Sequence, residues 1–136
     1  MNIPRLIISI VVLFVFISVF DFVAHGVILG SAYKETAESW RPEADMMARL
    51  PLQYACYLII MIGFATVWAL GFPDKGAKCG AIYGFLLGLV GTAGSILMFV
   101  FIAIPDRFMM PWIVSGMLGS ILSGVLLALV YKPKAS

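Results

Sequence analysis

Residues 4–29 read PRLIISIVVLFVFISVFDFVAHGVIL. After Arg5 no charged residue follows until Asp21, and at the rise of an α-helix this stretch is longer than a hydrocarbon core of about 30 Å requires. Three more apolar runs follow, at roughly 51–72, 77–104 and 111–131. In lipid every backbone N–H and C=O needs an internal partner, so such runs are helices. Membrane barrel strands would instead alternate in polarity over about ten residues, and no such alternation is present. The expected fold is an all-α membrane protein, an antiparallel four-helix transmembrane bundle. The chain is 62% hydrophobic with a mean hydropathy of +1.07, which leaves no room for a soluble domain, so residues 1–136 read as a single transmembrane domain.

Met1 to Arg5 has the look of a signal-peptide n-region, but Asp21-Phe22-Val23-Ala24-His25-Gly26 offers no small-residue cleavage site, and the segment is expected to stay as the first span. Pro4 suits its first turn, and Gly30 is placed to end it in a left-handed cap. The polar stretch 31–50 is expected to form short interfacial helices between the first and second spans. Ser31 would cap one, with Lys34 and Glu38 as an i,i+4 pair, and Pro42 would open the other, with Arg49 at its end. Pro51 and Pro111 open the second and fourth spans, and the turns at Pro73-Asp74-Lys75-Gly76 and Pro105-Asp106-Arg107 are tight. Trp40, Trp68 and Trp112 fall near span ends, where aromatic belts form.

Even span number puts both termini on one side. Arg5, Lys75, Lys78, Lys132 and Lys134 lie there, against Lys34, Arg41, Arg49 and Arg107 opposite, so the positive-inside rule favours both termini in the cytoplasm by a single charge. So small a margin also fits a dual-topology dimer. The net charge of +2 is too low to point to nucleic acid, and no polybasic cluster addresses lipid headgroups. Cys56 and Cys79 sit near the starts of successive, oppositely running spans, which argues against a disulfide between them.

Small residues recur along the third span at Gly80, Gly84, Gly88 and Gly91, and along the fourth at Gly116, Ser120 and Gly124. Between helices in lipid, small side chains matter because they let backbones approach and dispersion contacts accumulate. These ridges read as a helix-packing surface, either within one chain or toward a partner.

Asp21 and His25 stand four apart on one helix face, with Ser18 preceding them. A carboxylate inside a span costs several kcal/mol unless paired or protonated. Gln53, Tyr57 and Arg107 belong to the same outer half of the bundle and are candidate partners, with Tyr54 and Ser115. Three readings fit: a structural polar network, a proton- or ion-coupling pair, and a copper site in which Met46, Met47, Met109 and Met110 join His25 as soft ligands. Nucleophilic, phosphate-binding and paired-carboxylate motifs are missing, so no enzyme is expected and no cofactor is implied.

Asp21-Phe22 … His25-Gly26, Trp40-Arg41-Pro42-Glu43 and Tyr131-Lys132-Pro133 resemble the pattern of a group of small bacterial four-helix inner-membrane proteins with no assigned activity. The resemblance implies a bacterial inner (cytoplasmic) membrane and both termini inside. It implies no chemistry. The leading expectation is a non-enzymatic integral membrane protein, an accessory or structural subunit that packs in the lipid bilayer against copies of itself or other membrane-protein subunits. The alternatives are a small homo-oligomeric transporter or channel using Asp21 and His25, and a copper-binding membrane protein.

Overall fold

The computed structural model describes residues 1–133, and Lys134, counted above in the charge balance, lies outside them. The described residues are mostly helical, with no strand. Helix α1 covers Ile3–Asp21 and continues as a π-helix over Phe22–Ile28. Two short helices follow, α2 (Gly30–Glu35) and α3 (Glu43–Ala48), then the long helices α4 (Leu50–Gly71), α5 (Ala77–Phe101) and α6 (Met109–Val130). The four stretches Ile3–Ile28, Leu50–Gly71, Ala77–Phe101 and Asp106–Val130 are long and apolar enough to cross a membrane.

Asn2 caps α1 by accepting from the Arg5 N–H at 3.3 Å. It also ties the chain ends together, because its backbone N–H donates to the Tyr131 hydroxyl at 3.1 Å and its side-chain amide to the Lys132 carbonyl at 3.1 Å. Gly30 does not end this helix in a left-handed turn. No described glycine has a positive φ, and Gly30 is instead the first residue of α2. Ser31 therefore lies inside α2 and gives it no cap. The Lys34–Glu38 pair is not formed either, since α2 stops at Glu35 and the chain tightens into a 3-10 turn over Ala37–Ser39.

The closest helix pair is α5 with α6. Gly80 packs on Gly124 and Ala128, Gly84 on Ser120 and Ile121, and Gly88 on Met117 and Ser120. A methyl group on Gly84 would lie 2.8 Å from Ile121 Cα, and one on Gly124 would lie 2.9 Å from Gly84 N, so only hydrogen fits at either place. Ser120 Oγ crosses the contact to donate to the Gly84 carbonyl at 2.7 Å. The ridge stops there. A methyl on Gly91 would meet nothing within 4 Å, and one on Gly116 only the Thr92 hydroxyl at 3.8 Å, so these two expected packing residues take no part in the close approach. Gly119 does, against α1, where Phe20 would sit 3.0 Å from its methyl.

Below this contact the core gathers Leu6 and Leu13 of α1, Phe64 and Trp68 of α4, Tyr83 of α5 and Leu127 of α6. Trp68 is not a belt residue: it is fully buried, with its ring 5.4 Å from that of Tyr83 and its Nε1 without a partner. The reason is the Tyr83 ring, which α5 pushes between Phe64 and Phe72 at 4.8 and 5.7 Å and whose hydroxyl donates to the Phe64 carbonyl. That wedge closes one end of the bundle.

Candidate functional site

Asp21 is the last residue of α1 before the chain widens into the π-helix. Such wide turns are rare and often mark functional positions. Apart from Gly26, whose missing side chain leaves room for the Phe22 ring, no residue in Phe22–Ile28 signals it, and the sequence reading took the segment for plain α-helix.

Both oxygens of Asp21 are engaged. Oδ2 accepts from the Tyr57 hydroxyl of α4, and Tyr57 in turn accepts from Gln53 Nε2 at 2.6 Å. Oδ1 faces His25 Nε2 at 3.5 Å. His25 Nδ1 lies 2.7 Å from the Tyr33 hydroxyl of α2, which also receives the Trp112 Nε1–H at 2.7 Å. An indole N–H only donates, so Tyr33 accepts there and keeps its own proton for His25 Nδ1. Neutral His25 then carries its proton on Nε2, aimed at Asp21. Protonated His25 would reverse the second bond, with Nδ1–H donating to Tyr33. Gln53, Tyr57, Asp21, His25, Tyr33 and Trp112 thus form one polar chain that runs from α4 across α1 to α2 and α6.

An aromatic cap covers the outer end of this chain. Tyr33 stacks on Phe108 with centroids 4.7 Å apart, and Trp40 meets both edge-on at 5.2 and 5.3 Å. Burial in this cap raises the Tyr33 phenol above its ordinary value; the Trp112 bond opposes the shift and the Asp21 charge adds to it. Arg107, an expected partner of Asp21, is elsewhere: its guanidinium binds Glu35 Oε2 at 3.0 Å and the Ala32 carbonyl at 2.7 Å, latching α2 to the turn before α6. Ser18 also departs from its expected role, since its hydroxyl turns back to the Phe14 carbonyl at 2.8 Å.

Beside the chain lies a cleft of about 470 Å³. Ile17 and Asp21 of α1, Tyr57, Met61 and Phe64 of α4, and Ser120 and Ser123 of α6 line it; α5 adds Gly88, Gly91, Thr92 and Ser95. Gly91 and Gly116, idle in helix packing, border this space instead. Among the described residues Asp21 is the one charged side chain on its wall. A second, smaller cavity of about 190 Å³ shares Asp21, Ser95 and Gly116 and adds His25 and Trp112. The Thr92 and Ser123 hydroxyls are buried without a hydrogen-bond partner, and both line the larger cleft. Sequence reading passes over Thr92 and gives Ser95 and Ser123 only a place in the small-residue ridges; their signal is that they are hydroxyl residues on inward helix faces.

The two ring nitrogens of His25 face Tyr33 and Asp21, while Met46, Met47 and Met110 are exposed and Met109 is half-buried. Among the described residues no three His, Cys, Asp or Glu side chains gather in a metal-binding group, and Cys56 and Cys79 are free thiols.

The class that fold and site define is an all-helical bundle with four helices able to span a membrane and a carboxylate set between them. Comparison with protein-family models, curated proteins and solved structures yields no match.

Proposed function

We propose that this chain is a small, non-enzymatic integral membrane carrier that binds and releases a cation at Asp21. The observation that carries the reading is that Asp21 borders the cleft of about 470 Å³ and the cavity of about 190 Å³ while holding Tyr57 on one oxygen and facing His25 with the other. An ionisable group in that position marks a substrate or proton pathway by default. His25 and Tyr33 give a proton a route from the aromatic cap to the carboxylate. Of the groups around Asp21, Tyr57 and His25 are its direct partners, and α5 and α6 contribute hydroxyls and the Trp112 indole.

The four long helices run antiparallel in this reading, as the pairing of Gly80 with Gly124 and Gly84 with Ser120 supports. The Asn2 bonds to Tyr131 and Lys132 support termini on one side, and the charge balance favours the cytoplasm of a bacterial inner membrane. Helices α2 and α3 then lie at the opposite interface. Of the small-residue ridges, Gly80, Gly84, Gly88, Ser120 and Gly124 are engaged between α5 and α6, which leaves only their outer parts to support the accessory-subunit reading.

Purified protein in liposomes with an imposed pH gradient tests the reading. Wild type is expected to pass a pH-dependent cation or proton flux that Asp21→Asn abolishes at unchanged helicity. Wild type without any such flux, or Asp21→Asn with undiminished flux, rejects it.

A further inference from the structure

A proton relay needs no cleft of about 470 Å³, yet Asp21 stands at the edge of one. That volume is within the usual range for sites that take small organic molecules. Resting on the carrier reading, we infer that the cleft seats an amphipathic organic amine, its ammonium on Asp21 and a second polar atom about 6–10 Å away on Ser123.

The sign of the cargo follows from the wall. Among the described residues Asp21 is its single charge and no Lys or Arg lines it, and Arg107 is bound to Glu35. A carboxylate offers about four lone-pair sites. Tyr57 and His25 address two of them, which leaves acceptors for an ammonium. The Thr92 hydroxyl, unpartnered and level with Gly116, lies at this end too. Ile17, Ile60, Met61, Phe64 and Leu87 supply the apolar walls, so the body of the ligand is hydrophobic.

Its length follows from the second orphan. Phe20 packs on Gly119, and Asp21 shares a cavity wall with Gly116, which fixes the level of the carboxylate along α6. Ser123 is four residues past Gly119 and seven past Gly116, or about 6–10 Å further along the helix at 1.5 Å per residue. Its side chain is 1% exposed and its hydroxyl has no partner. A buried hydroxyl left unpaired is costly, and a ligand atom at that depth would satisfy it. Beyond Ser123 the Phe64–Tyr83 wedge bars the way. An ethanolamine phospholipid also carries an alkylammonium, but its phosphate would find no cation on this wall.

Aminooctanol, octylamine and octanol are suitable probes, titrated by calorimetry into the full-length protein in nanodiscs. Aminooctanol is expected to bind best and octanol worst. Asp21→Asn is expected to weaken both amines about tenfold or more, because a charge-assisted hydrogen bond is lost. Ser123→Ala should weaken aminooctanol several-fold and leave octylamine unchanged. Gly91→Leu, which fills the cleft without touching the α5–α6 contact, should remove binding of both amines, whereas Gly94→Leu on open surface should not. Octanol binding as tightly as octylamine, or indifference to Gly91→Leu, overturns the inference. So does loss of amine binding in phosphatidylethanolamine nanodiscs alone, which would assign the cleft to the lipid headgroup. Flux without amine binding would sink this inference and spare the carrier reading; amine binding without flux would do the reverse.

Discussion

The two ends of the α5–α6 pair use the same kind of residue to opposite effect. At Gly80 and Gly84 the backbones touch, and not even a methyl group fits. At Gly91, with the same small-residue character, a methyl group would meet open space. The first end is closed further by Trp68, Tyr83 and Phe64, while the second borders the cleft beside Asp21. Small residues in a membrane helix permit close approach but do not enforce it. Whether they close a contact or line a void depends on what the other helices bring to that level. At one end α4 brings Phe64 and Trp68 against the Tyr83 wedge, and at the other α1 brings a carboxylate with its partners.

The sharpest way to break this comparison is to add one methyl group at each end. Gly84→Ala drives a side chain into the Ser120 and Ile121 backbone, which no rotamer change relieves, and should cost on the order of 3 kcal/mol. Gly91→Ala should be neutral or stabilise by up to about 1 kcal/mol, since alanine is the better helix former. Thermal unfolding in detergent would read both. Equal losses at the two sites would mean that the ends are not differently packed.

Much of the first end was legible in the sequence. Hydropathy marks four long helices because the bilayer demands about 20 apolar residues from each, and the four-residue spacing of Gly80, Gly84 and Gly88 puts them on one face. What spacing does not carry is where the face stops touching, so Gly91 and Gly116 were read as packing residues alongside the rest. Trp68 was read as an interface residue from its place near a span end; its burial depends on Tyr83, which is remote in sequence. The second end was less legible. Asp21, His25, Gln53 and Tyr57 stood out as polar residues of one half, but the π-helix has no local signature beyond Gly26, and Arg107 finds Glu35 through a fold of the 31–50 segment that composition does not foretell.

The polar chain gives a second test, confined to the Asp21 end. His25→Ala removes one of the two partners of the Tyr33 hydroxyl and leaves Asp21 with Tyr57 alone, and should lower stability by about 1–3 kcal/mol. Asp21→Asn should cost less, because an amide oxygen still accepts from Tyr57. If His25→Ala leaves the melting temperature unchanged, the chain is not a cooperative network. Tyr33 extends the test to alkaline pH. Its phenol ionises less readily folded than unfolded, so the stability it contributes is present in full below about pH 10 and is lost as pH rises through the higher folded value. Tyr33→Phe should flatten the alkaline decline relative to wild type, and an identical decline in both would remove Tyr33 as its source.

The smallest effect is expected at the latch. Arg107 holds α2 against the turn before α6 through Glu35 and the Ala32 carbonyl, with side chains 43% and 66% exposed for the ion pair. A pair that open is screened and loses side-chain entropy on forming, so Arg107→Ala should cost no more than about 1 kcal/mol, and part of that loss should vanish at high salt. The bond to the Ala32 carbonyl is the part that salt would leave. Such a result would mean that the aromatic cap, with Tyr33 stacked on Phe108, holds α2 in place and the latch only trims its position. A loss of 3 kcal/mol or more, insensitive to salt, would mean the opposite: the Asp21 end would then depend on a polar tether as firmly as the Gly84 end depends on backbone contact.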